Sequence, residues 1–286
     1  MVDTSDSSRL IRGNDDLLAP FHEAMKPREA FRVGAEAEKI GLRARTHAPL
    51  PLEGPVSVLA VLRALSQKFG WKLESEYAGG LKIALRRGDA SITLEPAGQL
   101  ELSGAPHRTI HQIGAEFQNH FEELAEVSEP LGISWISLGF HPFAKDAELP
   151  HVPKLRYAVM RDYLPTRGAR GLDMMRRTCT VQANMDFSDE ADAIRKLRVA
   201  LAAQPIVTAL FANSPLYEGR ARGWLSERAH VWLNMDPDRS GLLPFVWSDD
   251  MSIQRYVDWA LDVPMFMVKR GGRAFDNTRQ TFRTSL

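Results

Sequence analysis

Residues 31–38 alternate cleanly: Phe31, Val33, Ala35 and Ala37 are apolar or small, and Arg32, Gly34, Glu36 and Glu38 fall between them. A period of two predicts a half-buried strand with Glu36 and Glu38 on one face. Leu81, Ile83 and Leu85 repeat the pattern, Gly88-Asp89 marks a turn, and Ile92 to Pro106, ITLEPAGQLELSGAP, continues it. Read as one strand, its even separation of six puts Glu95 and Glu101 on one face; read as a hairpin turning at Pro96-Ala97-Gly98, it sets Glu95 opposite Gln99 and Thr93 opposite Glu101, again on one face. Ile133 to Phe140 reads as a further apolar strand. Arg176 to Phe187 sets Cys179, Val181, Ala183 and Met185 against a polar row of Thr178, Thr180, Gln182, Asn184 and Asp186, which suits a ligand floor.

Between these segments the period lengthens to that of a helix. Gly54-Pro55 opens one that runs to about Phe69, with Val58, Leu59, Leu62 and Leu65 on its apolar side and Gly70 closing it. Arg108 to Glu129 reads as a long amphipathic helix through Ile110, Ile113, Phe117, Phe121 and Leu124. His107, His111 and His120 sit in or beside it without acidic or cysteine ligands at zinc spacing, and read as surface or capping histidines. Lys154 to Tyr163 and Asp189 to Asn213 are further helices, the second with Ser188 as its N-cap and Pro205 as a kink. Residues 1–7 are expected to fray, and Leu10, Ile11, Leu17, Leu18 and Phe21 predict helix up to Met25. Three prolines between His141 and Pro153 predict an ordered loop bordering a pocket. Pro165, Gly168 and Gly171 frame a connection containing Arg167 and Arg170, suited to carboxylate or phosphate or simply solvated. Short antiparallel strands interleaved with helices predict an α+β chain, an antiparallel sheet flanked by helices.

The 36 basic and 36 acidic residues in 286 cancel, so no global field draws the chain to nucleic acid or an anionic membrane. With 44% hydrophobic and 25% charged residues it has the composition of a globular protein with a substantial core. The longest apolar stretch, Val199 to Ala212, is interrupted by Gln204 and Pro205, and predicts no membrane span. No targeting signal is expected. The single cysteine, Cys179, reads as core and forms no internal disulfide, which suits a reducing compartment; a cytoplasmic location is expected. Two readings of Glu95 and Glu101 stand at this point, a solvated sheet face and a cation site. Glu36 and Glu38 favour the second only if the two pairs face each other.

The succession FRVGAEAEK, ITLEPAGQLELSGAP, GLDMMRRTCTVQANMDF, ALFANSPLYEG and LLPFVW…YVDWALDVPMF resembles the plant-type glutamate-cysteine ligase family, also found in proteobacteria, from about Phe31 to Leu286. The resemblance implies a glutamine-synthetase-like catalytic domain with ATP and Mg2+ as needs. It implies glutamate and cysteine as substrates, joined through an acyl phosphate in the first step of glutathione synthesis. Carried over by position, it makes Glu36, Glu38, Glu95 and Glu101 magnesium ligands and Arg177 and Arg228 catalytic. It makes Arg156, Gln182, Asn184 and Trp232 substrate contacts. Ala35 and Ala37 stand where the family reads GTEHEK, and LEPAG replaces LEPGG. Family members continue into a segment with an EMRGAD-like motif, so the resemblance implies one catalytic domain over residues 1–286 without that segment. A different amine acceptor, or a non-catalytic form binding nucleotide or a full-length homologue, are the alternatives.

Overall fold

A computed structural model describes residues 11–75, 79–270 and 273–285. The polar residues 1–7, Leu10 and Leu286 lie outside the described residues. Helix α1 (Asn14–Glu23) lays Leu17, Leu18 and Phe21 on a small cluster of Ile253, Val257 and Leu261 from much later in the chain. There follow β1 (Val33–Arg43), α2 (Val58–Phe69), β2 (Lys72–Ser75), β3 (Lys82–Arg87), β4 (Ala90–Leu94) and β5 (Leu100–Ser103). Next come α3 (Ile110–Ser128), β6 (Ile133–Ile136), α4 (Leu155–Tyr163), α5 (Gly171–Arg177), β7 (Val181–Met185) and α6 (Glu190–Leu210).

These strands form one antiparallel sheet in the order β2-β3-β4-β5-β1-β6, with β7 also on β1. Residues 36–39 of β1 pair with β5 on one edge. On the other edge residues 33–37 pair with β7 and residues 40–43 with β6. The expected α+β class is the one observed. Alternation divides the sheet into two faces. Leu85, Ile92, Leu94, Leu100 and Leu102, none more than 1% exposed, pack with Leu59, Leu62, Leu65 and Leu124 of α2 and α3 in the main core. Thr93 and Glu101, which alternate with these residues, and Glu36 and Glu38 of β1, which share their face through the β1–β5 register, turn to the opposite face.

Local chemistry explains the element ends. Ser57 accepts the amide of Ala60 at 3.1 Å and starts α2, while Gly70, at φ 72°, ends it in a conformation that favours glycine. Thr109 and Gln112 form the capping box of α3. Gly98, at φ 79°, closes the β4–β5 hairpin, and the Glu95 amide bonds to the Gln99 carbonyl at 2.9 Å, as the turn at 96–98 requires.

Three expectations are corrected. Arg176 to Phe187 is not a continuous strand: Arg176 and Arg177 end helix α5, and only Val181–Met185 enters the sheet. Both arginines are 1% exposed, and partners distant in sequence hold them. Arg176 donates to the carbonyls of Asp146 and Leu149 at 3.0 Å and also contacts the Asp146 carboxylate and His151, pinning the 141–153 loop. That loop reaches the hairpin, since the Val152 amide bonds to the Pro96 carbonyl at 3.1 Å. Second, Asp189 rather than Ser188 caps α6, accepting the Asp192 amide at 2.8 Å. Beyond its first turn α6 leaves Val199, Ile206 and Leu210 exposed, as is Phe211 at its C-terminal end.

Third, His120 is no surface histidine but 2% exposed, with neither ring nitrogen hydrogen-bonded among the described residues. Burial, then the charges of Lys39 and Arg87, push it down to about 3; burial and Arg177 push His141 to about 4. Below the ordinary histidine value the unfolded chain takes up protons that the fold refuses, so their contribution to stability is complete above about pH 6.5 and is lost as pH falls. His120→Leu is therefore expected to narrow the stability difference between pH 7.5 and pH 4.5 by about 2 kcal/mol. Urea unfolding at the two pH values measures it, and an unchanged difference would refute the assignment.

Candidate functional site

The two carboxylate pairs do face each other. Glu38 lies directly across the ladder from Glu101, and Glu101 directly across from Thr93, whose hydroxyl donates to the Glu101 carboxylate at 2.9 Å. Glu36 lies opposite Gln182 of β7, and Asn184 Nδ2 approaches Glu36 Oε1 at 3.4 Å. Gln182 Nε2 in turn donates to Asn184 Oδ1 at 3.2 Å. Like charges directly opposed on a sheet are destabilising, and burial makes them more so.

The carboxyls respond accordingly. Burial, followed by the charges of Glu95 and Glu101, pushes Glu38 up to about 8, against the Thr180 amide donating to it at 3.0 Å and the Arg228 guanidinium. Glu95 is raised by burial and by Glu101, with Lys154, Arg156 and Tyr157 opposing. Glu36 is raised by burial and by Glu101. Among the described residues no three His, Cys, Asp or Glu side chains close around a point that could hold a metal. The donor chemistry nevertheless fits a hard cation: four carboxylates share one face, where burial and the charge of Glu101 raise the other three, an opposition that a divalent ion would relieve.

Cationic and polar groups rim the face. Helix α4 carries Arg156 and Tyr157; the Tyr157 hydroxyl donates to the Leu94 carbonyl at 3.1 Å and lies 3.4 Å from Glu95 Oε1. Burial and Glu95 raise that phenol above its usual range. Lys154 Nζ also donates to Leu94 O, at 2.9 Å, so the helix entrance is tied to the end of the Glu95 strand. Strands β8 (Leu216–Tyr217) and β9 (Arg220–Ala221) form a small hairpin before α7 (Glu227–Trp232), and α7 supplies Arg228 and Trp232. Arg228 stacks over the Trp232 ring at 5.6 Å and acts on Glu38. Its Nε and the Trp232 indole N–H are buried without an acceptor among the described residues. Buried donors of this kind are costly unless something accepts from them.

Arg177 is not brought to the carboxylates. It lies between the rings of Phe140 and Tyr217, at 4.6 and 4.4 Å, and bonds to Asp173 at 3.1 Å and Glu218 at 3.4 Å. Arg170 is paired as well, to Asp173 and Glu227, and Arg167 to Asp238. Cys179 is core, packed on Ile40 and Leu42, and burial pushes its thiol up to about 12. Tyr157, Lys154 and the Thr180 amide escape a reading of the sequence. The alternating pattern locates the carboxylates but carries no signal for a phenol reaching over from a helix 62 positions away.

The remaining elements, α8 (Ile253–Leu261), the β10 (Met267–Arg270) and β11 (Arg273–Asp276) hairpin and α9 (Phe282–Ser285), supply none of these side chains. Among the described residues no helix is long and apolar enough to cross a membrane.

Comparison with known proteins gives consistent matches. The chain is 46% identical over 272 residues to the chloroplastic glutamate-cysteine ligase of Brassica juncea, covering 95% of this chain and 52% of that protein. The chloroplastic enzyme of Arabidopsis thaliana is 46% identical over 272 residues, covering 95% of this chain and 51% of its own length. Glutamate-cysteine ligase A, chloroplastic, from Oryza sativa subsp. japonica is 46% identical over 270 residues, 94% of this chain and 54% of its own. The chain thus spans about half the length of the curated relatives it matches. Their names overturn the expected cytoplasmic location, since these relatives are chloroplastic. A lone buried cysteine reports a reducing environment and does not distinguish one such compartment from another. The model of the glutamate-cysteine ligase family 2 matches residues 32–286, from the strand of Glu36 and Glu38 onwards, and the chain belongs to that family.

Proposed function

We propose that the chain catalyses ATP-dependent ligation of the glutamate side-chain carboxylate to the amine of cysteine. In this reading the chemistry lies on the carboxylate face of a glutamine-synthetase-like fold, within one catalytic domain, and the ladder opposition of Glu38 and Glu101 supports it. The observation that carries the reading is the direct opposition of Glu38 and Glu101, with Arg228, whose buried Nε–H has no acceptor among the described residues, close enough to act on Glu38. An acidic face and free donors at one place fit a cation together with anionic substrates.

Glu36, Glu38, Glu95 and Glu101 would hold magnesium. When bound, magnesium supplies neutralisation of phosphate charge. Arg228 and Arg156 orient carboxylate or phosphoryl oxygens, and Gln182 and Asn184 present amides from β7 to the polar part of the amino-acid substrate. The glutamate carboxylate attacks the terminal phosphate of ATP, releasing ADP, and the cysteine amine displaces phosphate from the acyl phosphate. No covalent bond to the protein is needed. Cys179, buried and held as a thiol, takes no part.

The test is phosphate release by the 286-residue chain with ATP, magnesium and glutamate, with and without cysteine. Release that depends on cysteine is expected. Release with another amine in its place would change the acceptor, and a chain folded by circular dichroism that gives no release with any amine would overturn the ligase reading.

A further inference from the structure

A cleft of about 380 Å³ lies among α5, the β8–β9 hairpin and α7, and Arg170, Asp173, Tyr217, Arg222, His230 and Asn234 line it. None of these residues contributes to the carboxylate face. Its volume is within the range of small-molecule sites, roughly 300–1,000 Å³. Three guanidiniums gather on one ring: Arg177, Arg222 and Arg170 lie 4.4, 4.6 and 5.3 Å from the centre of Tyr217. The acidic groups nearby are already engaged. Asp173 is shared between Arg170 and Arg177, and Glu227, 2% exposed, bonds to Arg170 at 2.8 Å.

Arg222 is the least engaged of the three, with a long ion pair to Glu227 and its contact with the Tyr217 ring. Its nearest carboxylate oxygen, on Glu227, is 4.0 Å away, and among the described residues it donates no hydrogen bond, although its side chain is 48% exposed and within reach of a ligand. The His230 ring stacks on Trp224 at 4.9 Å and 13°, which fixes its plane, and among the described residues neither ring nitrogen is hydrogen-bonded. Behind the cleft, Arg177 Nε and Nη2 are buried without an acceptor. Donors therefore outnumber acceptors around a cleft walled by aromatic rings. A guanidinium with a free edge matches a planar or tetrahedral oxyanion bidentately.

We propose that this cleft is a second ligand site, for a small oxyanion, carboxylate or phosphate, received by Arg222 and His230 against the Tyr217 ring. It is independent of the ligase reading. Helix α7 joins the two places, since its His230 lines the cleft while its Arg228 acts on Glu38.

Isothermal titration of the 286-residue chain in EDTA, with inorganic phosphate in one arm and succinate in the other, tests it. One-to-one saturable binding in the millimolar range or tighter is expected in at least one arm. Phosphate alone would identify a phosphoryl ligand, succinate alone a carboxylate ligand, and either supports the site. Arg222→Gln is expected to weaken binding about tenfold or more, and His230→Phe, which keeps the stack on Trp224, to weaken it as well. Glu101→Gln should leave it unchanged. Absence of saturable binding in both arms, or binding that falls with Glu101→Gln and not with Arg222→Gln, would overturn the proposal.

Discussion

Replacing Glu38 with glutamine is expected to abolish magnesium-dependent nucleotide binding and, in the same protein, to raise stability in the absence of metal. The two effects share one origin. Glu38 faces Glu101 across the ladder, and burial together with Glu95 and Glu101 pushes its carboxyl up to about 8. A carboxyl raised in the fold contributes stability that is complete below the unfolded value, near pH 4.5, and is lost as pH rises through 8. The metal-free chain above pH 8 thus carries an ionised group that its surroundings oppose. Glutamine keeps the volume and removes the charge, so in EDTA at pH 8.5 the variant should be more stable by an amount on the order of 2 kcal/mol. Magnesium with nucleotide should raise the unfolding midpoint of the wild type and not that of the variant. Thermal unfolding with and without magnesium and ATP reads both. A variant destabilised in EDTA, or one that still responds to magnesium, would remove Glu38 from the ligand set.

Arg177→Met is expected to cost about 3–5 kcal/mol of stability, as breaking one side of a buried ion pair does. The buried guanidinium lies between Phe140 and Tyr217 and balances Asp173 and Glu218, so its loss leaves half-buried Asp173 with Arg170 as its remaining cation and removes two ring contacts. Arg177→Lys should recover only part of this, because an ammonium restores charge without the planar stack. Urea unfolding of the three proteins gives the ordering. A methionine variant within about 0.5 kcal/mol of wild type would show that the sandwich contributes little. The resemblance made Arg177 catalytic, but its contacts are those of a residue that fixes the junction of α5 and the β8–β9 hairpin.

The case of Arg177 shows what the sequence does and does not carry. Glu36, Glu38, Glu95 and Glu101 were legible because alternation fixes the face of each side chain and the turn at 96–98 fixes the register, both local properties. Helices α2 and α3 followed from their spacing and caps. The run from Arg176 to Phe187 also fits a period of two, yet its first two residues end a helix. What decides them is the set of partners for two buried guanidiniums, Asp146, Asp173, Phe140 and Tyr217, which the local pattern does not reveal. His120 fails in the same way, since the sequence places it on α3 but not beneath the sheet. Cys179 was placed correctly in the core even though the strand assigned to it begins two residues later.

Strand β7 is exposed along its whole length and, among the described residues, has β1 as its one ladder partner, whereas β4 lies between two strands with Ile92 and Leu94 fully buried. Opening β7 is therefore expected to cost less than opening the carboxylate hairpin, so local opening would detach Gln182 and Asn184 while the acidic face stays intact. A substrate that uses those two amides binds only the closed fraction, so its apparent affinity is lowered by that fraction. Any contact that seals β7 against β1 would tighten binding without touching the substrate.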